Sequence, residues 1–309
     1  MTGRTHALHV ADAPATRGGL RAVLAALKLR IGAEITLTAL AGVAITPGHG
    51  LELWRLAALA CAVLLASSAA GAFNQYAERD IDARMHRTRH RPFVTGALHA
   101  DRRWLVAMGA MLVVAAVLAL VATNVIAAAF VVAGSLTYGV VYTLWLKRTT
   151  WLNIVFGGFA GSFAVLAGGA AVNPQISAEP ALLALALFFW TPPHFWSLAL
   201  YSRDDYLRTG IPMLPALVDS KRSARIICAH VIAVVLLSVL PAALDAGPVY
   251  LLCAAVGGAY FTWFAVRLVR TPTRTAAWSC FKASLVQLSL LLVGAIADGA
   301  WRGQLLFVS

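Results

Sequence analysis

Apolar residues run through this chain in long stretches, each ended by charge, proline or glycine. A helix needs about 20 such residues to cross roughly 30 Å of hydrocarbon. Nine stretches are long enough: 25–46, 54–73, 104–122, 125–145, 152–172, 181–201, 225–243, 249–267 and 280–298. They take up more than half of the chain and leave no room for a sizeable soluble domain. The pattern predicts an all-α polytopic membrane protein with nine transmembrane helices. Residues 1–24 read as a cytoplasmic N-terminal tail, 25–298 as the membrane domain and 299–309 as a short C-terminal tail. The tail is polar and basic, and no small-residue cleavage site follows the first apolar run, so it is not read as a removable signal peptide.

Composition agrees with this pattern and excludes a water-soluble globule. Apolar residues make up 60% of the chain and charged ones 12%, against roughly 45–50% and about 25% in soluble domains. The net charge of +12 would suggest nucleic acid in a soluble protein. Here its placement explains it. Loops on the N-terminal side of the membrane, and the span ends next to them, hold 23 of the 25 Lys and Arg; only Arg55 and Arg302 lie opposite. Basic residues stay in the cytoplasm, so this side is read as cytoplasmic, facing anionic lipid heads or an anionic substrate, and no nucleic-acid partner is expected. Cys61, Cys228, Cys253 and Cys280 lie in or beside apolar stretches with no paired spacing and read as small buried residues.

The chemistry concentrates in two loops of the basic side. Asn74, Glu78 and Asp82 recur at i, i+4 and i+8, which stacks them on one helix face. Like charges at that spacing repel. Around a hard cation the same set is useful, and magnesium with retained waters and substrate phosphates suits it. Asp80 points about 200° away from Glu78 and reads as a partner of Arg84. After the sixth span, Arg203-Asp204-Asp205 echoes Arg79-Asp80-Ile81, with the Arg-Asp pair repeated 124 residues later. The repeat suggests two internally similar helical halves facing a central cavity, with Asp204 and Asp205 completing a paired cation site. Interleaved Arg79, Arg203, Lys147 and Arg148 fit a diphosphate gripped by cationic side chains. No Gly-rich Lys-Ser/Thr phosphate loop is present. A third feature lies inside the sixth span, where Trp190-Thr191-Pro192-Pro193-His194-Phe195-Trp196 sets two helix-kinking prolines beside an ionisable residue at membrane depth. His194 is either a ligand-binding residue or an interhelical hydrogen-bonding one.

Together these motifs resemble the membrane-embedded aromatic prenyltransferase superfamily and, within it, the protoheme IX farnesyltransferase (haem O synthase) branch. Asn74, Glu78 and Asp82 look like the superfamily's Asn-x-x-x-Asp-x-x-x-Asp, with Glu in the middle place. Tyr142-Thr143, Leu146 to Thr149, Asn153-Ile154-Val155, the Trp190 to Trp196 run and Gly210-Ile211-Pro212-Met213-Leu214-Pro215 are similar to the haem branch. The similarity extends roughly from Lys28 to Ala224. In other members the second acidic motif has carboxylates four apart, where this chain has Ser202 and Tyr206.

The resemblance implies a magnesium-dependent transferase of the bacterial cytoplasmic membrane that moves a farnesyl group from farnesyl diphosphate to a vinyl group of haem b, making haem O. It implies metal on Asn74, Glu78, Asp82, Asp204 and Asp205, diphosphate on Arg79, Lys147, Arg148 and Arg203, and haem against His194, Trp190 and Trp196. It also implies supply to a terminal oxidase, with haem A synthase or oxidase assembly as associated partners. Two rival readings remain at this point: a related enzyme with a quinone-type aromatic acceptor, and a haem or lipid carrier.

Overall fold

The computed structural model describes residues 19–306. Residues 1–18 of the expected tail, and 307–309, lie outside them. Among the described residues, all the regular structure is helical. The long helices are α1 (Leu29–Ile45), α2 (Leu53–Ala77), α3 (Arg102–Ala122), α4 (Val125–Thr149), α5 (Asn153–Val172), α6 (Ala178–Tyr201), α7 (Ser220–Ala243), α8 (Pro248–Arg270) and α9 (Arg274–Trp301). Among the described residues, α2 to α9 are long and apolar enough to cross a membrane, which makes eight, not the expected nine. The expected first span is divided instead. A short helix, Leu20–Leu27, ends at Lys28, whose left-handed backbone (φ 51°, ψ 43°) starts the 17-residue α1 in a new direction. Left-handed geometry is uncommon for a side-chain-bearing residue. Gln75 supports it by donating from Nε2 to the freed carbonyls of Ala25 (2.9 Å) and Ala26 (3.1 Å).

The helices pack in chain order into a ring, α1 against α2 and so on to α8 against α9, and α9 returns to α1. Helices α1 and α5 also cross, because two glycines let their backbones meet. A Cβ on Gly42 would lie 2.2 Å from the Val165 carbonyl oxygen, and one on Gly168 1.9 Å from that of Ala39. Helices in a bilayer lack a hydrophobic drive to associate, so close backbone packing of this kind carries much of their affinity.

The two acidic loops share a backbone design. Helix α2 breaks at Glu78 (φ −97°, ψ 11°) before the short helix Arg79–Asp82, and α6 breaks at Ser202 (φ −104°, ψ 31°) before Arg203–Thr209. The 124-residue echo is therefore structural. It aligns Asp82 with Tyr206, both buried, and Asp80 with Asp204, both exposed. Despite its two prolines, α6 continues as one helix. Pro192 leaves the Phe188 carbonyl without its in-helix donor, and Gly158 of α5 approaches that oxygen, where a Cβ would lie 3.1 Å away.

Candidate active site

Asn74, Glu78 and Asp82 keep one face across the break in α2. The Glu78 amide bonds the Asn74 carbonyl (3.0 Å) and the Asp82 amide the Glu78 carbonyl (2.8 Å), so the i, i+4 stacking survives. All three are buried, none more than 2% exposed. Buried like charges at this spacing need compensation, and each residue has its own cation. Lys28 Nζ donates to Asn74 Oδ1 at 2.7 Å, Lys147 pairs with Glu78, and Arg91 Nη1 meets Asp82 Oδ2 at 2.6 Å.

A widened π-helical stretch of α4, Thr137–Leu146, presents the other wall. Such turns recur at functional sites. Here Tyr138 OH accepts from Lys28 (3.1 Å), Thr143 Oγ1 accepts from Asn74 Nδ2 (3.0 Å), and Lys147 follows directly. Lys28 and Tyr138 were not singled out from the sequence, and Thr143 was marked only as part of a motif similar to the haem branch, with no role. Lys28 carries no motif, and only the fold brings it 46 residues back to Asn74. Arg91 was one of several arginines beside the motif, with nothing to mark it.

Five sequence-based assignments need correction. Arg79, one residue past Glu78 and so about 100° around the helix, is exposed and donates to the Tyr76 carbonyl at 2.7 Å. Its repeat mate Arg203 clamps the following loop, bonding the carbonyls of Pro215 (2.8 Å) and Val218 (3.4 Å). Arg148 forks onto Asp80 at 2.9 and 3.0 Å, at the surface. The Asp80 carboxylate thus pairs with Arg148, while Arg84 reaches only the Asp80 backbone carbonyl (3.3 Å), and the Arg148 fork holds the carboxyl below the usual range. Trp196 faces away from the cavity and meets His230 of α7 edge-on, with ring centres 5.0 Å apart.

Asp204 is exposed, while Asp205 is buried and ties the two acidic loops together. Its carboxylate accepts from the amides of His86 (3.2 Å) and Arg87 (3.4 Å) and pairs with Arg208. Burial opposes ionisation of Asp205, but the His86 amide, Arg208 and the Arg87 amide outweigh it and hold the carboxyl below its ordinary value. Among the described residues, no three His, Cys, Asp or Glu side chains converge as a metal-binding group. The donor set nevertheless suits a hard cation. Glu78 Oε1 is buried with no hydrogen-bond partner, an anionic lone pair left open beside the Asn74 and Asp82 oxygens.

Below this face lies a mainly apolar cavity of about 250 Å³, with Lys28 and Tyr138 at one end and Trp190, His194 and Phe195 in its wall. His194 stacks on Trp190 with ring centres 4.3 Å apart and lies 4.6 Å from Phe281 of α9. Its Nδ1 is 2.7 Å from Ser284 Oγ. That hydroxyl donates its own proton to the Phe281 carbonyl at 2.6 Å. Ser284 therefore accepts, His194 carries its proton on Nδ1, and Nε2 keeps a free lone pair. An anionic headgroup at the basic end and an apolar chain below it fit this arrangement.

The profile of the UbiA prenyltransferase family matches residues 35–291. The chain is 50% identical to protoheme IX farnesyltransferase 2 of Paramagnetospirillum magneticum, over 92% of this chain and 99% of that one. A digeranylgeranylglyceryl phosphate synthase structure superposes with a TM-score of 0.74 at 18% identity, covering 91% of this chain and 98% of the other. A UbiA homolog from Archaeoglobus fulgidus bound to DMAPP and Mg²⁺ gives 0.68 at 14% identity, with coverage of 89% and 99%.

Proposed function

Because the chain belongs to the UbiA prenyltransferase family and is a multi-pass membrane transferase, we propose that it transfers the farnesyl group of farnesyl diphosphate to a vinyl group of haem b, making haem O. The observation that carries the reading is a buried oxygen face with three cations directly above an aromatic cavity that contains a histidine with an available Nε2. The relative named for protoheme IX supports haem over a quinone-type acceptor.

Asn74, Glu78 and Asp82 would hold Mg²⁺, the ion bound in the Archaeoglobus relative. When bound, it supplies Lewis-acid neutralisation of the diphosphate. Lys28, Lys147 and Arg91 surround the same point and stabilise the charge that grows on the leaving oxygens as the C–O bond breaks, already in place before the reaction begins. The farnesyl chain fills the apolar cavity, which keeps water from the allylic cation. Trp190 and Phe195 face that space, and aromatic faces stabilise cations. His194 contacts the porphyrin. Asp205 keeps the loop bearing Arg91 closed against the second acidic loop.

The test is incubation of purified protein with haem b, farnesyl diphosphate and Mg²⁺, with mass analysis of the extracted haem. The reading expects hydroxyethylfarnesyl haem. A prenylated phenol or quinone formed in place of a haem product would transfer the assignment to the rival acceptor.

The reading also places the active face in the cytoplasm of a bacterial inner membrane. In a background without native cysteines, single cysteines at Arg89 and Lys221, both exposed at the basic end, resist an impermeant thiol reagent in intact cells. One at exposed Gln175, on the opposite end, reacts. Labelling of the first two in sealed cells would reverse the orientation.

A further inference from the structure

The cavity offers few groups able to take a proton. Its ionisable lining residues are Lys28, Glu34, Tyr138 and His194. The hydroxyls of Thr38, Ser135 and Thr191 are already committed, donating to the carbonyls of Glu34 (2.9 Å), Ala66 (3.0 Å) and Leu187 (3.0 Å). Lys28 is held by Asn74 and Tyr138, and His194 by Ser284. Glu34 differs from all of these. Its carboxylate makes no hydrogen bond or ion pair among the described residues, although it sits within α1 and lines the cavity. Glu34 is exposed while lining a mainly apolar cavity, and a carboxylate in such surroundings is costly unless it has work to do there. It lies six residues beyond Lys28, a rise of about 9 Å down the helix from the diphosphate end.

We propose that Glu34 is the general base that activates water in the second half of the reaction, an assignment that rests on the haem reading above. Loss of diphosphate breaks the C1–O bond of the donor. The vinyl π pair then forms the new C–C bond to C1, which leaves a cation on the carbon attached to the porphyrin. A water oxygen bonds to that carbon, and one of its protons passes to the Glu34 carboxylate. The balance is farnesyl diphosphate, haem b and water giving hydroxyethylfarnesyl haem, diphosphate and a proton. Without a base for the water, the cation loses a carbon-bound proton instead and yields a farnesylated haem lighter by one water.

The experiment uses the purified full chain with haem b, farnesyl diphosphate and Mg²⁺ in oxygen-18 water, with the haem products weighed. Wild type incorporates the label. Glu34→Gln forms hydrated product about 10²-fold more slowly, keeps the KM for farnesyl diphosphate, and releases part of its product as the dehydrated haem. Glu34→Asp, which retains a carboxylate, recovers labelled product. Hydrated product from Glu34→Gln at the wild-type rate, or an equal loss in the Gln and Asp variants, overturns the assignment. Wild-type protein that makes no hydroxyethylfarnesyl haem removes the haem reading and this step together, whereas a normal wild type beside a normal Glu34→Gln removes this step alone.

Discussion

Asp82→Ala lowers prenyl transfer by about 10³-fold, the scale seen when a group stabilising developing charge is removed, while the protein stays in the membrane. Asp82 is only 1% exposed and shares its face with Glu78 and Asn74, so no neighbour replaces its oxygens. The variant also strands Arg91, which has lost its carboxylate at 2.6 Å and is only 21% exposed, so the protein loses stability as well. Asp82→Asn separates the two effects by keeping the shape and a hydrogen-bond acceptor while losing the charge. It should fold and yet need far more Mg²⁺ for any residual rate. Asn74→Ala behaves alike, since it releases both Lys28 and Thr143. Asp80→Ala is the control. Its carboxylate is about half exposed and paired with Arg148 at the surface, where ion pairs contribute little, so turnover stays near wild type. Near-normal rates in both Asp82→Asn and Asn74→Ala at millimolar Mg²⁺ would sink the assignment of the face.

The parts of this site that were legible in the sequence are those set by local periodicity. Apolar run length predicted nine spans, of which eight are membrane-length helices and the first is divided at Lys28, and i, i+4, i+8 spacing gave the Asn74–Glu78–Asp82 face, because hydrogen bonding preserved that stacking through the break at Glu78. The break itself was hidden, as was the one at Lys28. Neither position has the glycine or proline that normally announces such a change, and Lys28 is held left-handed by tertiary bonds from Gln75 to the preceding turn. The cations were misassigned for a related reason. Arg79 lies beside Glu78 in the chain but about 100° away on the helix, while Lys28 and Arg91 reach the face only through the fold. Trp196 failed similarly. It is two residues from His194, a turn of about 200°, so it packs against α7 while Phe195 lines the cavity.

His194→Ala should abolish haem binding, seen as loss of the Soret shift in protein loaded with haem, and leave farnesyl diphosphate affinity nearly unchanged. The separation follows from architecture. The cationic face is built from the two loops, the start of α1 and the end of α4, whereas His194 is held within the membrane by α9 through Ser284 and Phe281. Asp82→Asn should show the reverse pattern, with weakened diphosphate binding and an intact Soret band. Ser284→Ala adds a readout that packing alone would not move. Ser284 fixes the proton on Nδ1, and an imidazole freed from that bond can turn or change tautomer, which weakens its ligand field at Nε2. The variant should therefore retain haem with a shifted Soret maximum, an intermediate result between wild type and His194→Ala. If His194→Ala binds haem with an unaltered spectrum, the ring serves only as the hydrogen-bonded link between α6 and α9, and the porphyrin lies elsewhere in the cavity. If instead both His194→Ala and Asp82→Asn lose both ligands, the two sites share one folding unit and the division of labour between loops and cavity is wrong.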